Sequence, residues 1–262
     1  DCVPTVVPMD PGTKLEKAEP GYTAEPSFQV KYQSAVGSLM YAMLGTRPDI
    51  AYAVSVVSRY SSNPTEKHWK AVQHIFRYLR GTLDYELMFT ANLTPLQGYT
   101  DSDYAGDVGT RRSTSGYVFD IGSGVISWSS KLQSTVATST CEAEYIGQSN
   151  ATKEAIWLRL LLKGLGKEQL HATIIYGDNQ GAIASAKNPQ FHSKMKHVDT
   201  QHKHVCQRIG NEEIDLVYTP TDTMVADGLT KPLNKEKFRR FRNMLGMVNR
   251  GEVESGKTSR FG

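Results

Sequence analysis

Beyond Gly81 the apolar residues change period, and that change limits the fold more than any other feature of the chain. YELMFTA (85–91) reads as a short strand. LQGYTDSDYAG (96–106), TSGYVFDIG (114–122) and GVISWSS (124–130) are short, aromatic and β-branched runs joined by glycine, which is strand texture. IGSG at 121–124 suits a hairpin between the last two. A long helical pattern, CEAEYIGQSNATKEAIWLRLLLKGL (141–165), comes next, then a strand HATIIYGD (171–178) and a helix QGAIASAKN (180–188). Residues 194–209 read as helix, IDLVYTP (214–220) as strand and 223–245 as largely helix. Hairpin strands first, then strands alternating with helices, predict an α/β fold: a mixed sheet with helices against it.

The preceding segment has a different character. Residues 1–27 hold five prolines and two glycines with little periodicity, so an extended arm is expected there. Three helical runs follow, KYQSAVGSLMYAML (31–44), RPDIAYAVSVVSRYS (47–61) and TEKHWKAVQHIFRYLRG (65–81). In the third, Thr65 is a suitable cap and Gly81 a suitable stop. Its Trp69, Val72, Ile75, Phe76 and Leu79 recur at helical spacing and are expected to form a buried face. The expected organisation is an arm at 1–27, a small helical segment at 28–92, an α/β domain at 93–246 and a flexible polar tail at 247–262.

Several function classes are excluded early. With 39% apolar residues the 262-residue chain can build a core, and no apolar stretch approaches the length of a membrane span. The first residues lack the basic start and apolar run of a secretory signal. The short apolar stretches predict no membrane partner, and Cys2, Cys141 and Cys206, odd in number and far apart, favour a reducing, intracellular compartment. A net charge of +3 says little by itself.

Four acids stand where an α/β protein places its chemistry, at strand ends and helix starts. Asp101 ends LQGYTD, Glu144 lies in the first turns of the long helix, Asp178 ends ATIIYGD and Asp227 sits near the start of the expected last helix, in MVADGLTKPL. Gathered carboxylates repel unless a cation neutralises them, and an all-oxygen donor set suits Mg²⁺ or Mn²⁺ rather than zinc. Two such ions roughly 3.5–4 Å apart would clamp a phosphodiester for hydrolysis. Pattern alone leaves two readings open, a metal site or scattered surface and helix-start acids. Asp103 and Glu142 are close rivals. Asp103 lies farther past its strand end, and Glu142 sits about 200° from Glu144 around a helix, so both cannot face one ion.

YTDSDYAGD (99–107), RRSTSGYVF (111–119), ISWSSKLQSTVATSTCEAEY (126–145), YGDNQGAI (176–183), KHVDTQHKH (196–204) and VADGLTKPL (225–233) together resemble the ribonuclease H region of Ty1/copia-type retrotransposon polyproteins. VGSLMYAMLGTRPDIAYAVSVVSRYSSNPTEKHWKAVQHIFRYLRGT (36–82) resembles the end of the reverse transcriptase in the same polyproteins. The likeness runs from about 28 to 245 in the expected order. It implies a ribonuclease H-like mixed five-stranded sheet with flanking helices, preceded by a reverse-transcriptase connection-like segment. It also implies two Mg²⁺ ions, replaceable by Mn²⁺, on Asp101, Glu144, Asp178 and Asp227, and hydrolysis of the RNA strand of an RNA–DNA hybrid. Implied partners are the hybrid and the remainder of the reverse transcriptase and polyprotein, in a cytoplasmic particle or the nucleus. The chain has no YxDD-like element, so no polymerase activity is expected of it. A non-catalytic scaffold or nucleic-acid-binding module from a degenerate element is the alternative. Family members commonly carry His then Phe after the KH-[IV]-D element, where this chain has Lys203 and His204. His197, His202 and His204 are therefore the candidate auxiliary groups.

Further basic residues are candidates for backbone phosphates: Arg111 and Arg112 after the first acidic motif, and Lys231, Lys235 and Arg239 in KPLNKEKFRRFR. That last segment carries six basic residues and one acidic. It reads equally as a solvated helix with Phe238 and Phe241 inward or as a phosphate-contact face. Tyr104, Trp128 and Tyr145 are expected in the core. His192, His197, His202, His204 and Cys206 lack the cysteine pair and the common helix face of a zinc site. GSG at 122–124 is too short for a nucleotide loop, and Ser129, Ser130 and Ser134 lack a hydrolase elbow.

Overall fold

The computed structural model describes residues 2–91, 94–122, 124–188 and 199–254. In chain order the elements are α1 (Pro26–Gly45), α2 (Ala51–Ser58), α3 (Glu66–Arg80), β1 (Tyr85–Leu87), β2 (Gln97–Ser102), β3 (Thr114–Asp120), β4 (Val125–Leu132) and α4 (Thr140–Gly164). They continue with β5 (Thr173–Gly177), α5 (Gln180–Lys187), α6 (Asp199–Gly210), β6 (Ile214–Tyr218), α7 (Lys235–Met244), β7 (Met247–Asn249) and α8 (Arg250–Glu254). Two compact units result, 1–88 with 231–262, and 89–230.

Unit 89–230 carries a five-stranded sheet in the order β4-β3-β2-β5-β6. The first three strands are antiparallel neighbours, while β2–β5 and β5–β6 are parallel. The ribonuclease H-like mixed sheet expected from the resemblance is therefore present. Its core, under α4, α5 and α6, includes Leu96, Phe119, Tyr145, Ala151, Ala155, Ile175, Val205, Ile214 and Leu216. Two glycines permit close contacts, Gly98 beneath its cross-strand partner's ring within the sheet and Gly147 between the sheet and α4. A Cβ on Gly98 would meet the Phe119 ring at 2.4 Å, and one on Gly147 of α4 would meet Ser102 Oγ at 2.4 Å. The sheet and α4 are thus in direct backbone-to-side-chain contact at the end of β2.

The unit formed by 1–88 and 231–262 is mainly helical. Thr65 caps α3 in a box with His68, whose Nδ1 accepts the Thr65 N–H at 2.9 Å. The buried stripe of α3 is His68, Val72, Ile75 and Tyr78; Phe76, expected inside, is exposed. A buried His68 is tolerable because its Nε2 lies 2.8 Å from the Glu16 carbonyl. That contact and the Tyr60 hydroxyl bond to the Leu15 carbonyl hold part of the supposed arm, in which Val7, Met9, Leu15 and Ala24 are buried. Arg47 forks onto Asp49 (2.9 and 2.8 Å), and Tyr78 donates to the same carboxylate at 2.5 Å.

Several boundaries differ from expectation. Residues 223–245 are not one helix: 3-10 turns at Thr221–Thr223 and Val225–Leu229 precede α7, because Pro232 lacks the N–H that a continuous helix needs there. Residues 231–246 fall with the helical unit, not with 93–230: Phe238 packs edge-on against Tyr78 at 5.5 Å. The expected loose tail begins with β7, which pairs antiparallel with β1 because Met247 and Val248 supply buried apolar side chains. Among the described residues no helix is long and apolar enough to cross a membrane.

Candidate metal centre and its surroundings

Asp101 is the penultimate residue of β2, and Asp178 follows the last residue of β5. The parallel register pairs Gln97 with Ile174, Gly98 with Ile175 and Tyr99 with Tyr176. Continued by two places, it sets Asp101 opposite Asp178. Tyr99 and Tyr176, two residues back on the same faces, stack at 5.0 Å. Local sequence supports this placement. In YGDNQ the strand ends at Gly177, and the Asn179 side chain caps α5 by accepting the Ala182 N–H at 2.9 Å, so Asp178 is held in the turn between them.

Glu144 comes from the second turn of α4. Ligand oxygens of Asp101, Glu144 and Asp178 all lie within 4.8 Å of one another, and the first two residues are buried. Glu142 has a different task. Its carboxylate reaches back to the Thr138 N–H (2.7 Å) and hydroxyl (2.5 Å), while Ser139 Oγ accepts the Glu142 N–H at 3.1 Å, a reciprocal cap for α4. Asp103 is also committed elsewhere, accepting the Thr114 N–H in the β2–β3 connection.

The 3-10 turn at Val225–Leu229 covers the other face of β2 and β3. It sits against Gly116, the residue paired with Asp101, where a Cβ would lie 2.7 Å from Leu229 Cβ. Asp227, half-buried on this turn, is outside the three-acid group; its backbone carbonyl neighbours Thr230, which touches Asp101. Thr230 Oγ1 lies 2.5 Å from Asp101 Oδ2 and 3.0 Å from the Asp227 carbonyl. Its single proton goes to the carboxylate, the stronger acceptor. Thr221 Oγ1 donates to Asp178 Oδ2 at 2.7 Å. Sequence reasoning missed both threonines; a hydroxyl residue three places after an acidic candidate was the available signal for Thr230.

The donor set fits a hard divalent cation. Three convergent carboxylates, two of them buried, present only oxygen. The Thr230 hydroxyl engages Asp101 Oδ2 and the Thr221 hydroxyl Asp178 Oδ2, which fixes the orientation of both carboxylates.

The other candidates are dispersed. His197 lies outside the described residues, and His202 is described only as part of the backbone of α6. Burial, with Arg208 and Lys153 nearby, pushes the His204 imidazole below its ordinary pKa. Lys153 is nine residues beyond Glu144 on α4, about 13 Å along the helix, and His204 is not part of the acid group. Arg111, exposed and with φ of 55°, and the half-buried Arg112 lie on the β2–β3 connection. That loop is ordered by Asp107 Oδ1, which accepts the Thr110 N–H at 2.8 Å. Lys231, Lys235 and Arg239 belong to the helical unit; Lys235 and Arg239 are exposed on α7, while Phe238 and Phe241 are buried. Tyr145 is fully buried, Trp128 half-buried, and Tyr104 exposed, since Tyr104 stands in the turn past the end of β2.

No protein-family model matches the chain. It is 44% identical over 247 residues to a retrovirus-related Pol polyprotein from transposon TNT 1-94 of Nicotiana tabacum, covering 93% of this chain and 18% of that protein. The chain thus spans about a fifth of the length of that relative. It is 53% identical over 130 residues to secreted RxLR effector protein 161 of Plasmopara viticola, covering 49% of this chain and 92% of that one. Among solved structures, ribonuclease H1 from the archaeon Halobacterium salinarum matches 52% of this chain and 93% of its own, at 15% identity and a TM-score of 0.39.

Proposed function

We propose that this chain, which is similar to retrovirus-related Pol polyproteins over most of its length, is a copia-type, metal-dependent endoribonuclease on a ribonuclease H-like sheet. Its substrate is the RNA strand of an RNA–DNA hybrid. The observation that carries this reading is the convergence of Asp101, Glu144 and Asp178 within 4.8 Å at the end of two parallel strands. Mg²⁺, or Mn²⁺ in its place, is the cofactor. Asp101, Glu144 and Asp178 would hold these ions, and the ions would supply activation of water and stabilisation of a departing 3′ oxygen, a chemistry that would give 3′-hydroxyl and 5′-phosphate ends with no covalent enzyme intermediate.

The chain's own groups have separable tasks. Asp101, Glu144 and Asp178 supply the ligand oxygens. Asp227 is the fourth acid, three residues before Thr230, whose N–H donates to the Asp227 carbonyl and whose hydroxyl donates to Asp101. Thr230 and Thr221 orient the Asp101 and Asp178 carboxylates. Arg111 and Arg112, and in the helical unit Lys231, Lys235 and Arg239, hold backbone phosphates, which position a duplex without reading its sequence. The hybrid, the remainder of the reverse transcriptase and the polyprotein are the proposed partners. Intracellular particles or the nucleus are the proposed setting.

The test is cleavage of an end-labelled hybrid in Mg²⁺ or Mn²⁺, beside duplex DNA, single-stranded RNA and an EDTA control. Asp178→Asn is expected to lower the rate by at least about 100-fold, a loss of about 2.7 kcal/mol in transition-state stabilisation, while hybrid binding persists. Normal cutting by Asp178→Asn would exclude the assigned centre.

A further inference from the structure

We infer that Gln133 is a positioning residue that holds the two most buried acids of the centre in register, an inference that rests on the metal-dependent reading above. Gln133 follows β4 and is 5% exposed. Its Nε2 donates to Ser115 Oγ at 2.8 Å and to the Ala143 carbonyl at 2.9 Å. Its own N–H donates to the Ser113 carbonyl at 2.8 Å. The Ala143 carbonyl requires a donor, so this contact fixes which end of the amide faces α4.

Each of the two side-chain bonds leads to a residue beside an acid. Ala143 immediately precedes Glu144 in the first turns of α4. Ser115 pairs across the sheet with Ser102, their hydroxyls lie 3.0 Å apart, and Ser102 immediately follows Asp101. Ser115 Oγ accepts from Gln133, so its proton is free to pass to Ser102 Oγ. One amide therefore ties the end of β2, the start of β3 and the first turn of α4.

Gly147 explains why a tie is needed. Without a side chain there, α4 rests on Ser102 through close contact, which resists approach but not sliding. Hydrogen bonds are directional, and the Gln133 amide opposes sliding. The Ala143 carbonyl has a second lone pair and can serve the helix ladder as well. Gln133 is not in the acid group; it acts through the backbone beside Glu144 and the serine beside Asp101.

The test is Mn²⁺ binding by the full chain, followed by calorimetry and electron paramagnetic resonance, with hybrid cleavage measured in parallel. Gln133→Met keeps the volume and removes both donors. It is expected to bind Mn²⁺ about tenfold more weakly, the scale of lost outer-sphere support, and to lower kcat while KM for hybrid is unchanged. Wild-type affinity in a folded Gln133→Met protein would overturn the positioning role. Wild-type protein that binds no Mn²⁺ would instead overturn the metal centre, so the two failures are distinguishable. Should Gln133→Met not fold, Ser102→Ala cuts the same relay at its far end, and unchanged Mn²⁺ affinity there overturns the inference equally.

Discussion

Glu142 and Glu144 are two residues apart, with the same side chain and opposite environments. Glu142 is half-buried and caps α4 through Thr138, whereas Glu144 is buried in the group with Asp101 and Asp178. Helical periodicity separates the pair in sequence, because about 200° of rotation prevents both from facing one ion. Their partners come from distant segments and were not legible. Asp120 shows another residue-scale effect. Burial pushes its carboxyl up to about 6, opposed by the Gln97 amide, which donates to it at 3.1 Å. Between pH 4 and 6 the folded state keeps a proton that the unfolded chain has lost, so stability falls as pH rises through that window and the penalty persists above it. Asp120→Asn cannot titrate. It is expected to match wild type near pH 4 and to be more stable by about 1–2 kcal/mol at pH 7.5, allowing for partial exposure. Urea unfolding at the two pH values measures the difference.

Between elements, the seat of α4 on β2 decides whether Glu144 meets Asp101. The long pattern at 141–165 predicts the helix, and the structure has it at 140–164. Nothing in that pattern tells that Gly147 is the point of contact. By helix propensity alone, Gly147→Ala is expected to stabilise by about 1 kcal/mol. The structure predicts the opposite, because the new Cβ would stand 2.4 Å from Ser102 Oγ. Overpacking costs about 1–3 kcal/mol, so thermal unfolding is expected to move down by about 2–6 °C. The double substitution Gly147→Ala with Ser102→Gly is expected to recover most of that loss, and calorimetry of the three proteins checks it. The short turn at Val225–Leu229 was concealed for a similar reason. Its fit against Gly116 is a contact between residues more than a hundred positions apart, and local propensity carries no trace of it.

At the scale of the whole molecule, the chain returns at its end to the unit in which it began. β7 pairs with β1, Phe238 meets Tyr78, and Arg242 lies over Tyr85 at 3.8 Å. Unit 89–230 therefore contains Asp101, Glu144, Asp178, Asp227, Thr221 and Thr230, while Lys231, Lys235 and Arg239 belong to the other unit. A fragment of residues 89–230 is expected to fold and to bind Mn²⁺ with an affinity within about threefold of the full chain, a difference of roughly 0.7 kcal/mol. Circular dichroism and calorimetry measure both. A fragment that unfolds would show that residues 1–88 and 231–262 are required for this fold.

The sequence by itself determined the order of strands and helices from β1 to β6, the placement of acids at element ends and the motif series whose resemblance implies a nuclease. Those properties are local, set by period, capping residues and short consecutive patterns. Only the tertiary structure decided that three of the acids converge, that Thr230, Thr221 and Gln133 support them, and that residues 231–246 leave the α/β unit. These outcomes depend on strand register, on backbone approach at glycines and on apolar packing between distant segments. Each is a free-energy difference among whole packings, so no single stretch of sequence contains it.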